Sequence, residues 1–107
     1  LDDALCAGRA ALRVLLDNAK NDAHLAGSIS VNFMMLFGYL CGGWLMARSA
    51  LRAQALLDSG NGDPQFLDAK RITADFYAEQ LLPRVHALLA AISSGSKSIM
   101  ALDDEQF

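Results

Sequence analysis

An all-α domain is what this sequence predicts: an up-down-up bundle of three long helices followed by a short C-terminal helical segment. Three observations carry that reading. Alanine and leucine dominate while only two prolines occur in 107 residues, a composition that favours helix. Apolar residues recur at spacings of three, four and seven over long stretches. Strong punctuation is confined to a few short runs: KND at residues 20–22, SGNGDP at 59–64 and SSG at 93–95. With 53% hydrophobic and 20% charged residues, the chain reads as one globular domain spanning 1–107.

The first helix is predicted over residues 2–19, with Leu5, Leu12 and Leu16 on its buried side at spacings of seven and four. Asp2 and Asp3 stand in the first turn, where the helix dipole favours negative charge. Arg9 and Arg13 read as a solvated stripe. Asp22 is a candidate cap for the second helix, with Ser28 and Ser30 as later alternatives.

The second helix runs to about Asp58, and the chain is organised around its stretch 33–52, FMMLFGYLCGGWLMARSALR. No charged residue occurs over the 23 positions 25–47, a length that could span a bilayer. Ser28, Ser30, Asn32 and the glycines 27, 38, 42 and 43 dilute it, and its neighbours are amphipathic, so a soluble core helix is the favoured reading. Gly38 and Gly42 form a GxxxG pair, read here as a place of close helix approach within a soluble bundle. Phe33, Phe37, Leu40, Trp44, Ala47 and Leu51 share one face. Met35, Gly38, Gly42, Leu45 and Ser49 share nearly the opposite one. A helix in a small bundle buries one broad stripe, and this one asks for cover on both sides. The second set, Met35, Gly38, Gly42, Leu45 and Ser49, is therefore the candidate interface with a second surface.

Asp63 and Pro64 read as N-cap and first position of the third helix. Its stripe is Leu67, Ala74, Ala78, Leu81, Val85, Leu88 and Ile92, and Arg71 with Asp75 is an expected i,i+4 pair. Pro83 lies inside this pattern, which places a kink at about residues 80–82 in one continuing helix. Residues 96–102 are expected to add a turn or two, with Ile99, Met100 and Leu102 folding back on the bundle.

Chemistry-bearing patterns are missing. His24 and His86 have no partners at metal-ligand spacing, the serines lack a nucleophile-elbow context, and the GNG of residues 60–62 lacks a phosphate-loop continuation. Cys6 and Cys41 read as reduced core thiols, which favours a cytosolic setting. A net charge of −3 without a basic patch offers no footprint for nucleic acid. From the residues alone, no catalytic, cofactor-binding or metal site is assigned.

Several dissimilar motifs in order carry a resemblance. They are GYLCGGWLMARSAL (38–51), DPQFLDAKRITADFYAEQLLPRVHALLAAISSG (63–95) and SIMALDDEQF (98–107). Together they closely resemble the C-terminal extension of a subgroup of acyl-CoA dehydrogenases, the long bacterial enzymes similar to 3-methylmercaptopropionyl-CoA dehydrogenase. That resemblance covers roughly residues 26–107. It implies a longer, cytoplasmic bacterial parent that uses FAD to form an α,β double bond in an acyl-CoA thioester and passes electrons to an electron-transfer flavoprotein. The implied partners of this domain are the parent's catalytic body and a second subunit. None of the family's catalytic or flavin-binding positions maps onto these residues, so Lys70, Arg71 and Tyr77 carry structural roles only. The chain opens at Leu1 with a helical pattern already in place, which reads as the C-terminal domain of a longer protein. A free-standing helical interaction module stays open as the alternative.

Overall fold

The computed structural model describes all 107 residues as helices and short connections, with no strand. Helix α1 spans Asp2–Asn18, α2 Leu25–Asp58, α3 Pro64–Phe76 and α4 Arg84–Ser93. A π-helical turn over Tyr77–Leu81 joins α3 to α4, so the two form one bent third helix running back along α2. The predicted three-helix, up-down-up architecture is what the chain adopts.

Unequal helix lengths set the shape. The 34 residues of α2 make a rod of about 51 Å, while the 17 residues of α1 reach only about 25 Å. Three helices (α1, α4 and the first half of α2) therefore meet at one end, and two (α3 and the second half of α2) at the other. The molecule measures 65 × 29 × 16 Å, with a radius of gyration of 18.8 Å. A compact chain of this size would have about 13 Å. A slab this thin cannot bury both faces of its central helix, and only 15 of 107 residues are buried.

The core lies at the three-helix end. Leu25, Ile29, Leu36 and Leu40 of α2 meet Ala4, Ala7 and Ala11 of α1 and Leu82, Val85 and Ile92 of the third helix. Leu25, Leu36, Val85 and Ile92 are almost wholly removed from water. Each contributes about 1.5–3 kcal/mol by burial.

Helix α1 corrects the sequence reading. Its buried side is Ala4, Ala7, Gly8 and Ala11, while Leu5, Leu12 and Leu16 are 42%, 42% and 67% exposed. Both sets have helical spacing, but the small one allows closer approach. A Cβ on Gly8 would stand 2.5 Å from Leu40 Cδ1, so Leu40 fills the space that a side chain would need.

Helix α2 corrects it again. Phe33, Phe37 and Leu40 lie in or against the core, but Trp44 and Leu51 on the same face are exposed. The cause is the reach of α1, whose Leu1 end lies level with Gly43, so that the face beyond is uncovered. Cys6 and Cys41, expected in the core, are exposed because they fall outside the buried stripes of their helices.

Along the third helix the bend falls where Pro83 predicts it. The proline ring crowds the preceding turn, and the chain widens into a π turn closed by the Leu82 N–H donating to the Tyr77 carbonyl at 2.9 Å. The predicted stripe is disturbed only around this turn, where Ala78 is exposed. Leu82 is buried in place of the expected Leu81, and Val85 and Ile92 keep their predicted positions.

The caps are partly as predicted. Asp63 accepts from the Gln65 N–H at 3.1 Å and Pro64 opens α3. At the start of α2 the N-cap residue is His24, and Asp22 accepts from its N–H at 3.1 Å. Arg71 pairs with Asp68 at 3.4 Å instead of Asp75; the acidic residue is then the N-terminal partner, the orientation that agrees with the helix dipole. Ile99, Met100 and Leu102 do not fold back and are exposed, because Leu25, Ile29 and Ile92 already close that end of the core. The tail is held instead by Ser96, whose hydroxyl lies 2.7 and 2.8 Å from the two carboxylate oxygens of Asp22.

Candidate interaction surface

The uncovered half of α2 is the candidate surface, and the bend in the third helix positions it. Tyr77, in the π turn, points its ring at α2 and donates its hydroxyl to the Tyr39 carbonyl at 2.8 Å. Gly42 makes that approach possible. A Cβ there would overlap the Tyr77 hydroxyl and stand 2.8 Å from its Cζ. Burial raises the Tyr77 pKa above 10.0, with smaller contributions from Tyr39 and Cys41. The Tyr39 hydroxyl in turn lies 3.2 Å from Arg84 Nη1, just after the bend. This joint sets where α3 leaves the three-helix end and how it runs beside the second half of α2.

Past the joint, an open cleft of about 500 Å³ lies between α2 and α3. Leu45, Leu56 and Phe66 supply apolar lining, and Arg48, Arg52 and Lys70 supply positive charge. Arg48 lies over the Trp44 ring at 4.9 Å and Lys70 over the Phe66 ring at 5.1 Å, so both cations rest on exposed aromatics. Such a surface, apolar between fixed cations, suits a macromolecular partner with acidic and apolar groups.

The five candidate interface residues separate in the structure. Leu45 and Ser49 line this cleft. Met35 and Gly38 are exposed nearer the middle of α2, with open space around Gly38. Gly42 already receives Tyr77. Sequence reasoning missed the cations of the cleft because Arg48 and Arg52 fall in one helix and Lys70 in another. The exposed Leu5, Leu12 and Leu16 add a second apolar face on α1.

These residues by themselves build no enclosed polar pocket of the kind a flavin requires. Its ring system and pyrophosphate need convergent polar groups in an enclosed pocket, and no polar or charged side chain of this chain is buried.

Fold and surface together define an all-α domain with many large apolar side chains exposed. The chain belongs to the family described as acetyl-CoA dehydrogenase C-terminal like, whose model matches residues 1–103. It is 41% identical over 100 residues to 3-methylmercaptopropionyl-CoA dehydrogenase of Ruegeria pomeroyi, covering 94% of this chain and 17% of that protein. It is 37% identical over 103 residues to a broad-specificity linear acyl-CoA dehydrogenase of Mycobacterium tuberculosis, covering 92% of this chain and 17% of that protein. The chain thus spans about a sixth of the length of these relatives.

Proposed function

We propose that this chain is an assembly domain of an FAD-dependent acyl-CoA dehydrogenase, packing on the catalytic body of the parent, on a neighbouring subunit, or on both. The observation that carries the reading is the mismatch between core and surface. A slab 16 Å thick buries 15 residues, while Leu16, Trp44, Leu45, Leu51 and other large apolar side chains stand in solvent. So many large apolar side chains in solvent on so small a chain favour cover by another protein surface. In this reading the parent forms the α,β double bond of an acyl-CoA thioester in a bacterial cytoplasm and passes electrons to an electron-transfer flavoprotein. Flavin and catalytic base are held outside these 107 residues.

Helix α2 is long and apolar enough to cross a membrane, and only 22% of its most apolar stretch is buried in this bundle. The assembly reading assigns that exposed surface to protein. Met35, Gly38, Leu45 and Ser49 mark the interface, and Gly42 supports it from beneath by admitting Tyr77.

Deleting the domain from the parent tests the proposal. The expected result is a smaller or less stable assembly that still retains flavin. Unchanged subunit assembly, thermal stability and turnover after deletion refute it.

A further inference from the structure

Helix α1 stops at an apolar groove that it only begins to fill. The groove holds about 180 Å³, distinct from the cationic cleft. Gly43, Ala47 and Ala50 of α2 line it on one side, and Ala74, Ala78 and Leu82 of the bent third helix on the other. Leu1 is the single α1 residue that reaches it. Its Cδ1 would stand 3.4 Å from a Cβ on Gly43.

The contact line between α1 and α2 continues past the end of α1. On α2, Leu36, Leu40, Gly43, Ala47 and Ala50 follow one another at spacings of four, three, four and three, so they share a face. Leu36 and Leu40 meet Gly8, and Gly43 meets Leu1. Ala47 and Ala50 come next on the same face and are only half-buried. On α1, Leu1 extends the stripe of Ala4, Gly8 and Ala11 at helical spacing. The first turn of α1 also lacks the chemistry of a helix end. Leu1 occupies the N-cap position with no side-chain acceptor, whereas α3 opens on an Asp63 cap followed by Pro64.

We propose that the segment immediately before Leu1 in the longer parent continues α1 as a helix and fills this groove, carrying the three-helix packing past Gly43. The inference rests on the reading of this chain as a domain of a longer protein, which agrees with its spanning 17% of each relative. From Gly43 to Ala50 the second helix advances about 10 Å, a rise that about seven further residues of α1 match. Small or apolar residues three, four and seven positions before Leu1 continue the buried stripe. Alanines and a glycine in the groove let that helix approach closely, as Gly8 does for Leu40. The peptide bond at Leu1 holds this segment at the groove, so no other part of a parent competes with it at equal effective concentration.

Thiol accessibility tests it. The exposed Cys6 and Cys41 are first replaced by serine, and Ala50→Cys then places one thiol in the groove. Leu51→Cys, at a position 72% exposed, is the control. Maleimide labelling is timed in three forms: this chain, this chain carrying about ten of the parent's own preceding residues, and the whole parent. The Ala50→Cys thiol is expected to react on the order of tenfold more slowly in both longer forms than in this chain. The Leu51→Cys thiol should react equally in the first two. Equal Ala50→Cys rates in the first two forms overturn the proposal, and slowing in the parent alone assigns the groove to another part of the catalytic body. Equal slowing of both thiols by the ten residues overturns it as well. Asp2→Pro gives a second readout within the intact parent. Proline is tolerated at the first position of a helix and breaks the interior of one. It should therefore lower the Tm of the parent and speed labelling at Ala50→Cys, and a parent indifferent to it overturns the continued helix. Deleting the whole domain tests the assembly role by subunit association and turnover, so either reading can fail while the other stands.

Discussion

Two glycines four residues apart on α2 should respond in opposite directions to the same substitution. Gly38 faces open space, with no atom within 4 Å of a built Cβ. There Gly38→Ala acts through backbone entropy and helix propensity, which favours the folded chain by about 0.5–1 kcal/mol. At Gly42 the added methyl meets the Tyr77 ring, with Cζ at 2.8 Å and the hydroxyl nearer still. Forcing the ring aside costs about 1–3 kcal/mol in packing. It also breaks the 2.8 Å bond to the Tyr39 carbonyl, worth about 1 kcal/mol. Helix propensity offsets about 1 kcal/mol of this, leaving Gly42→Ala destabilising by about 1–3 kcal/mol. The two variants should then differ by about 3 kcal/mol, or more than about 10 °C in Tm for a domain of this size. Thermal unfolding followed by far-UV circular dichroism measures the difference. Tyr77→Phe isolates the hydrogen bond: it should cost about 1 kcal/mol in the wild type and less beside Gly42→Ala, where the bond is already broken. Equal stabilisation by Gly38→Ala and Gly42→Ala would show that Tyr77 does not dock on α2 and that the bend is set by something else.

Urea unfolding should find Leu82→Ala destabilising by about 2–5 kcal/mol and Leu81→Ala far milder; the reverse order would remove the π turn from the third helix. Asp63→Ala should cost about 1 kcal/mol through the lost cap of α3, measured by the same unfolding curves, and no loss would mean the Gln65 N–H is satisfied without it. The Ser96 hydroxyl is the main cause of an Asp22 pKa below 3.8, with burial opposing it and the His24 N–H assisting. A depressed carboxyl stabilises the fold above its unfolded pKa and loses that contribution as pH falls through the folded value. Acid unfolding curves of Ser96→Ala should therefore flatten below about pH 4 relative to wild type, and identical curves would dissolve this tie. Tyr77 runs the other way. Its raised pKa makes a contribution that is full below 10.0 and lost as pH rises through the folded value, so ultraviolet titration of the folded chain should show one tyrosine ionising late, and Tyr77→Phe should abolish that late step.

Much of this fold is local physics, and local physics is legible in a sequence. Helix periodicity, the stop at Gly60 and Gly62, the Asp63–Pro64 start and the disturbance at Pro83 each depend on a few neighbouring residues, so the three helices and the bend follow from sequence alone. The resemblance motifs identified the family that residues 1–103 match. Tertiary structure decided which of two competing stripes each helix buries. On α1, leucines and alanines both repeat with helical spacing, and the alanines are buried because Gly8 lets Leu40 approach. On α2, Phe37 and Trp44 share a face but not an environment, since α1 ends between their levels. Leu82 is buried where Leu81 was expected, beside a π turn that a period of 3.6 does not foresee. The cationic cleft was illegible for the same reason: Arg48, Arg52 and Lys70 are ordinary surface charges until the packing of α2 against α3 brings them around one apolar surface. Side-chain spacing specifies helices, whereas helix length and closeness of approach determine which faces are covered and which stay exposed.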